Sequence, residues 1–239
     1  MSYNRDLINK EKSQPKKSMT EQESFATLRI KATEHLKQVD PVLNHAIELV
    51  GPCTIEPEPN LFEALVDAIV SQQISVQAAD AIMARIRQAV PDGKITPDTL
   101  LPLAYEDLRS LGFSNAKARY VRNLLEHILT GQLDLERLPE LDDETIIQQL
   151  TAVKGIGRWT AEMILIFSLA RPDVLPVDDL GLVEGVRQAY GLPERPGRKE
   201  LLALGERWKP YRTFATWYIW RWRRYTMKDD RKRTRIVSL

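Results

Sequence analysis

Residues 150–167 read LTAVKGIGRWTAEMILIF, an apolar run interrupted by Gly155, Ile156 and Gly157 and resumed at once by Arg158, Trp159 and Thr160. Each glycine inside a helix costs roughly 1 kcal/mol relative to alanine, so the pair predicts a turn between two helices. Glycine permits positive φ there and lets another backbone approach with no Cβ in the way. The first amides of the helix beginning near Arg158 lack intrahelical partners and carry the positive end of the helix dipole, which suits a phosphate. A tight helical hairpin that binds nothing would have the same pattern. Twenty residues after Trp159 stands Asp179, preceded by Val177-Asp178 and opening the helical pattern LGLVEGVRQAY. A carboxylate at that place caps the helix or does chemistry in a site, and Asp178 could equally be the cap.

These residues need helices to hold them. Apolar positions recur at three and four along the chain, and no stretch of strict alternation bounded by hairpin turns stands out. The pattern predicts an all-α protein, with helices near 21–38, 42–50, 60–73, 75–89, 97–101, 104–110, 115–130, 143–152, 158–170, 179–190, 197–205 and 210–227. Gly51-Pro52, Pro91-Asp92-Gly93, Gly131 and Gly191 punctuate their ends, and Ser75, Ser114 and Asp142 are placed to cap their starts. One design occurs twice: LRSLGFSNAKARYVRNLL (108–125) and residues 150–167 each give a helix, a glycine-containing break and a second helix.

Charge is nearly balanced over 239 residues, which argues against a protein that coats a polyanion, but it is unevenly spread. Acids dominate between Leu133 and Leu150. From Glu200 to Leu239 there are eleven Lys or Arg against four acids, so that end suits an anionic partner. A single cysteine, Cys53, excludes an internal disulfide and any cluster built on several thiolates. A cytoplasmic protein, or one associated with nucleoid or nucleus, is expected and not a secreted one, since neither a signal peptide nor a membrane span is apparent. Residues 1–19 read as a basic flexible arm, 20–227 as the folded domain and 228–239 as a basic tail.

The run V-K-G-I-G-x-x-T-A, followed by the loop ARPDVLPVDD (170–179), resembles the helix-hairpin-helix of the base-excision DNA glycosylases. IVSQQISVQAA (69–79), LGFSNAKA (111–118) and ERWKPYRTFATWYIWR (206–221) are similar to signature segments of one branch, the 3-methyladenine DNA glycosylase II enzymes. The resemblance covers most of residues 55–225. It implies a compact two-lobed helical fold with the active site in the cleft between lobes, without the N-terminal β domain of larger relatives. The implied activity is base flipping and hydrolytic excision of alkylated purines, such as 3-methyladenine and 7-methylguanine, from double-stranded DNA, by a monomer.

Residue by residue, the resemblance makes Asp179 the catalytic aspartate. Trp159 stands where bifunctional relatives carry a nucleophilic lysine, which implies a monofunctional enzyme that leaves an abasic site. Trp159 and Trp220 match pocket walls, where an electron-rich face gains up to about 2 kcal/mol against a cationic base. Tyr218 is a further pocket candidate, and Met163 stands where some relatives place another aromatic. Gln73, with Gln72 beside it, matches the side chain that fills the gap left by the flipped base. The amides of Gly155, Ile156 and Gly157, together with Thr160, would grip a phosphate, with a monovalent cation at the backbone of Val153 and Gly155. Ser114 and Lys117 would hold the other backbone. No iron–sulfur cluster or other cofactor is expected. The rival readings are a glycosylase for another damaged base, a non-catalytic DNA-binding helix-hairpin-helix protein, and a helical protein-interaction domain.

Overall fold

Short polar side chains start the helices where the sequence places them. Ser75, Ser114 and Asp142 accept from the amides of Ala78, Lys117 and Thr145 at 3.2, 3.3 and 3.0 Å. Each satisfies a donor that the first helical turn leaves unpaired. The computed structural model describes the backbone of residues 19–237 and the side chains of residues 25–227. Twelve α-helices occur there: α1 (Met19–Val39), α2 (Pro41–Val50), α3 (Leu61–Val70), α4 (Val76–Ala89), α5 (Pro97–Leu100), α6 (Tyr105–Ser110), α7 (Asn115–Leu129), α8 (Asp143–Ala152), α9 (Arg158–Phe167), α10 (Leu180–Ala189), α11 (Arg198–Glu206) and α12 (Arg212–Val237). No strand occurs among the described residues, and no helix there is long and apolar enough to cross a membrane.

The helices form two groups. α12 packs on α2 and α10, and α1 packs on α2 and α12. In the other group α3 packs on α4, α7 and α9, with α6 against α7 and α8 against α9. The chain thus leaves one lobe after α2, builds the second from α3 to α9, and returns with α10. A continuous set of buried apolar side chains runs through both. The first lobe is also tied by Asp40, which is fully buried: its carboxylate caps α2 and accepts from Tyr190 Oη at 2.6 Å and Trp208 Nε1 at 3.0 Å. A buried carboxylate is tolerable only when its lone pairs are filled in this way.

Three helix ends differ from expectation by three residues or more. α3 stops at Val70 because the chain turns there, and Gln73 takes a left-handed φ of 57°. α9 stops at Phe167, before Ala170 at φ 54°. α12 continues past residue 227 to Val237, so the backbone of the segment expected as a tail is helical that far. Of the expected N-terminal arm only Met19 lies within the described residues.

Candidate active site

Asp179 is the N-cap of α10: its Oδ1 accepts from Leu182 N at 2.6 Å. The carboxylate that caps the helix also takes two indole donors. Trp220 Nε1 donates to Oδ1 at 2.8 Å and Trp159 Nε1 donates to Oδ2 at 2.7 Å. Trp159 comes from the first turn of α9 and Trp220 from α12, so three elements meet at one side chain. Asp178 points away, exposed, and pairs with Arg198 at 3.0 Å.

The carboxylate opens on a cleft of about 760 Å³ between the lobes. α3 lines it with Ala64, Asp67 and Ala68, the following turn with Ser71, Gln72 and Gln73, and α9 with Trp159, Thr160, Met163 and Phe167. That size lies within the range of small-molecule pockets. Phe167 stacks on Trp220, with ring centroids 6.0 Å apart and planes 20° from parallel. Phe167 went unnoticed in the sequence, although it falls with Trp159 and Met163 on one helical face. Asp67 was also missed. Desolvation pushes its carboxyl above the ordinary value, while a hydrogen bond from Ser71 opposes that shift. Nearby, Glu63 is held by Arg87 at 2.6 Å.

The hairpin between α8 and α9 explains one of its glycines internally. Gly155 has φ +98°, and a Cβ there would lie 2.3 Å from ring carbons of Tyr120. Asn123 Oδ1, also on α7, accepts from Lys154 N at 2.8 Å. Gly157 differs: its φ of −92° suits any residue, and a Cβ would meet nothing within 4 Å. Neither conformation nor packing inside this chain requires glycine at 157. α9 closes its first turn with Ala161 N donating to Gly157 O at 3.0 Å, so the amides ahead of it face outward. The amide of Ile156, expected to face a phosphate, donates to Val153 O at 3.1 Å, and its side chain is buried. Arg158 is drawn back by Glu144 at 2.5 Å and Glu162 at 3.2 Å.

Several expected contacts are corrected. Tyr218 is absent from the cleft: it is fully buried, and its hydroxyl shares a hydrogen bond with Thr33 Oγ1 at 3.0 Å. Two residues along a helix is a rotation of about 200°, so Tyr218 and Trp220 face opposite ways. Lys117 does not reach an outer backbone either. Its side chain is buried, desolvation lowers its pKa, and Nζ donates to Val70 O at 2.7 Å, at the end of α3. A cation there meets the carbonyl end of that helix. Gln72, expected beside Gln73 at the wedge, is held at the hairpin: its Nε2 donates to Gly155 O at 2.8 Å. Gln73 remains exposed at the cleft edge. Thr160 is buried against the cleft, and Ser114 is exposed at the start of α7. The carbonyls of Val153 and Gly155, expected to hold a monovalent cation, each accept one hydrogen bond, from Ile156 N and Gln72 Nε2. Each keeps a second lone pair.

Residues 66–210 match the family described as HhH-GPD superfamily base excision DNA repair protein. Over 206 residues the chain is 36% identical to DNA-3-methyladenine glycosylase 1 of Schizosaccharomyces pombe, spanning 84% of this chain and 90% of that one. The S. pombe 3-methyladenine DNA glycosylase Mag1, solved in complex with abasic DNA, superposes with a TM-score of 0.70 over 80% of this chain and 95% of its own, at 36% identity. A DNA-3-methyladenine glycosidase from Bacillus halodurans gives a TM-score of 0.71 at 42% identity, over 78% of this chain and 85% of its own. With the hairpin, the capping aspartate and the inter-lobe cleft in place, the chain belongs to the HhH-GPD superfamily of base excision DNA repair proteins, in the branch of the 3-methyladenine DNA glycosylases.

Proposed function

We propose that this chain is a monofunctional DNA glycosylase that flips alkylated purines, 3-methyladenine and 7-methylguanine among them, out of duplex DNA and hydrolyses their glycosidic bond. The observation that carries this reading is the carboxylate of Asp179, fixed by two indole N–H groups at the mouth of an aromatic cleft. Breaking an N-glycosidic bond develops positive charge on the sugar. A carboxylate oriented in advance stabilises that charge and can orient the attacking water. Among the described residues the cleft lining contains no lysine to attack the sugar, which supports hydrolysis without backbone cleavage.

A purine alkylated on a ring nitrogen is already cationic and leaves without strong acid assistance. The faces of Trp159, Trp220 and Phe167 suit such a ring, and the carboxylate of Asp67 lends the far wall negative charge. Outside the cleft, the open space before Gly157 and the outward amides of α9 suit a phosphate. The second lone pairs of Val153 O and Gly155 O fit a monovalent cation that would share the phosphate's charge. Gln73, exposed at the cleft edge, would occupy the gap in the base stack, and Ser114, exposed at the start of α7, would meet the backbone from the first hairpin.

The test is release of free bases from methylated duplex DNA, with strand breaks scored before and after alkali. Release of methylpurines, with breaks appearing only after alkali, is the expected result. Breaks without alkali would overturn the monofunctional assignment, and DNA binding without methylpurine release would overturn the alkylpurine activity in favour of a glycosylase for another damaged base or a non-catalytic binding protein.

A further inference from the structure

We propose that Gln72 is a positioning residue that fixes the Gln73 wedge at a set distance from the phosphate-gripping hairpin, so that it acts in base extraction while touching neither base nor sugar. The inference rests on the reading of Gln73 as the wedge.

The turn after α3 is held from two sides. On one, the ammonium of Lys117 is buried and donates to Val70 O at 2.7 Å. On the other, Gln72 Nε2 donates to Gly155 O at 2.8 Å. Between these anchors and the solvent stands Gln73, exposed and at φ 57°, a backbone state that a residue with a Cβ enters only when its surroundings impose it. Both anchors lead back to α7. Lys117 belongs to that helix, and the same helix supplies Tyr120, packed on Gly155, and Asn123, which accepts from Lys154 N. One rigid helix therefore carries the supports of both the wedge turn and the second hairpin, and Gln72 closes the frame between them.

This frame matters because extracting a base is a two-point operation. The backbone is gripped at one point and the stack is filled at another, and unstacking costs a few kcal/mol that a loosely held side chain cannot offset. Without the Gln72 hydrogen bond the wedge turn loses its tie to the second hairpin while keeping its Lys117 anchor. The loss should then appear where a base must be pulled from a pair and vanish where the base is already unpaired.

The experiment compares single-turnover release of one methylated purine from two duplexes, one with its pairing partner opposite and one with an abasic analogue opposite. The variants are Gln72→Met, which keeps side-chain length and loses the donor, and Gln73→Ala. For Gln72→Met we expect release from the paired duplex to fall at least about tenfold more than release from the unpaired one, with an unchanged Tm. Equal losses on both duplexes, or none, would overturn the positioning role. If Gln73→Ala lowers the paired-to-unpaired ratio and Gln72→Met leaves it at the wild-type value, the wedge stands and the tie fails. If Gln73→Ala leaves the ratio unchanged, the wedge reading fails and this inference with it. Wild-type protein that releases no base from either duplex would overturn the proposed activity and the inference together.

Discussion

Trp220 and Asp179 meet through a single hydrogen bond, 2.8 Å from indole Nε1 to carboxylate Oδ1, on an oxygen that also accepts from Leu182 N at 2.6 Å. The other oxygen, Oδ2, takes Trp159 Nε1 at 2.7 Å. Three donors therefore converge on one side chain, and a carboxylate can accept all of them. An asparagine cannot, since whichever way its amide is turned the NH₂ faces an N–H donor. Asp179→Asn should lower methylpurine release by about a thousandfold, because it removes the charge and misplaces the tryptophans. Affinity for abasic duplex should stay close to wild type, since the backbone grip proposed above lies at the hairpin and not at Asp179. Substantial release by this variant would remove Asp179 from the mechanism.

Trp220→Phe separates the wall from the donor. The ring keeps an aromatic face beside Phe167, and the hydrogen bond to Oδ1 is gone. A hydrogen bond to a charged group contributes about 1.5–3 kcal/mol, so kcat should fall by roughly ten- to a hundredfold if the bond orients the carboxylate. KM should change little. Steady-state kinetics on a methylated duplex decides this, and a rise in KM at constant kcat would show that Trp220 serves only to bind the base.

The two glycines of the hairpin should respond differently to alanine. Gly155→Ala meets both a left-handed φ and the Tyr120 ring, and should destabilise the fold by about 3 kcal/mol. Gly157→Ala meets neither, and at a helix N-cap should cost at most about 1 kcal/mol. If the space before Gly157 is where a phosphate approaches, Gly157→Ala should weaken DNA binding strongly with little change in stability. Denaturant unfolding paired with DNA titration checks both, and wild-type binding by Gly157→Ala would place the phosphate elsewhere.

What the sequence shows about this molecule is mainly what is local. Ser114 and Lys117 N are three residues apart, so the cap that joins them leaves a short signature, and the same holds for Asp142 and for Asp179 with Leu182. The hydrogen bond from Lys117 to Val70 O spans 47 residues, and a lysine bound inward has the same letter as one facing solvent. One signal was available: Lys117 lies on the stripe of Val121 and Leu124, which are buried. Helical rotation likewise separates Tyr218 from Trp220. Phe167 shares a helical face with Trp159 and Met163, a signal the sequence did carry, whereas Asp67 gave no such warning. Each belongs to an ordinary amphipathic pattern, and only the meeting of α3, α9 and α12 turns them toward one cleft.

Cys53 offers a check on burial in the other lobe. It is 8% exposed, and desolvation pushes its thiol from 9.0 up to about 11. The native protein therefore keeps the proton where the unfolded chain loses it. That contribution to stability is complete below pH 9 and is lost as pH rises through about 11. Across that window the wild type should lose up to about 1.4 kcal/mol per pH unit relative to Cys53→Ala. Parallel pH-dependent unfolding curves for the two proteins would show that the thiol is more accessible than its packing indicates.

On the proposed function, the basic end of the chain should bear on DNA affinity rather than on chemistry. Arg221 lies over Trp217, 5.2 Å from its ring centroid, and α12 runs on to Val237 through a segment rich in Lys and Arg. Cations that neutralise phosphates release counterions, so each neutralised phosphate adds about 0.9 to the slope of log K against log salt on duplex DNA. Replacing Arg231, Lys232 and Arg233 together by glutamine should flatten that slope by about 0.9 for every phosphate these side chains neutralise in the wild type. Excision under saturating enzyme should be unaffected, because Asp179 and its tryptophans lie in the cleft. An unchanged slope would show that this end faces away from the duplex, and a loss of excision at saturation would show that α12 positions Trp220 from its far end.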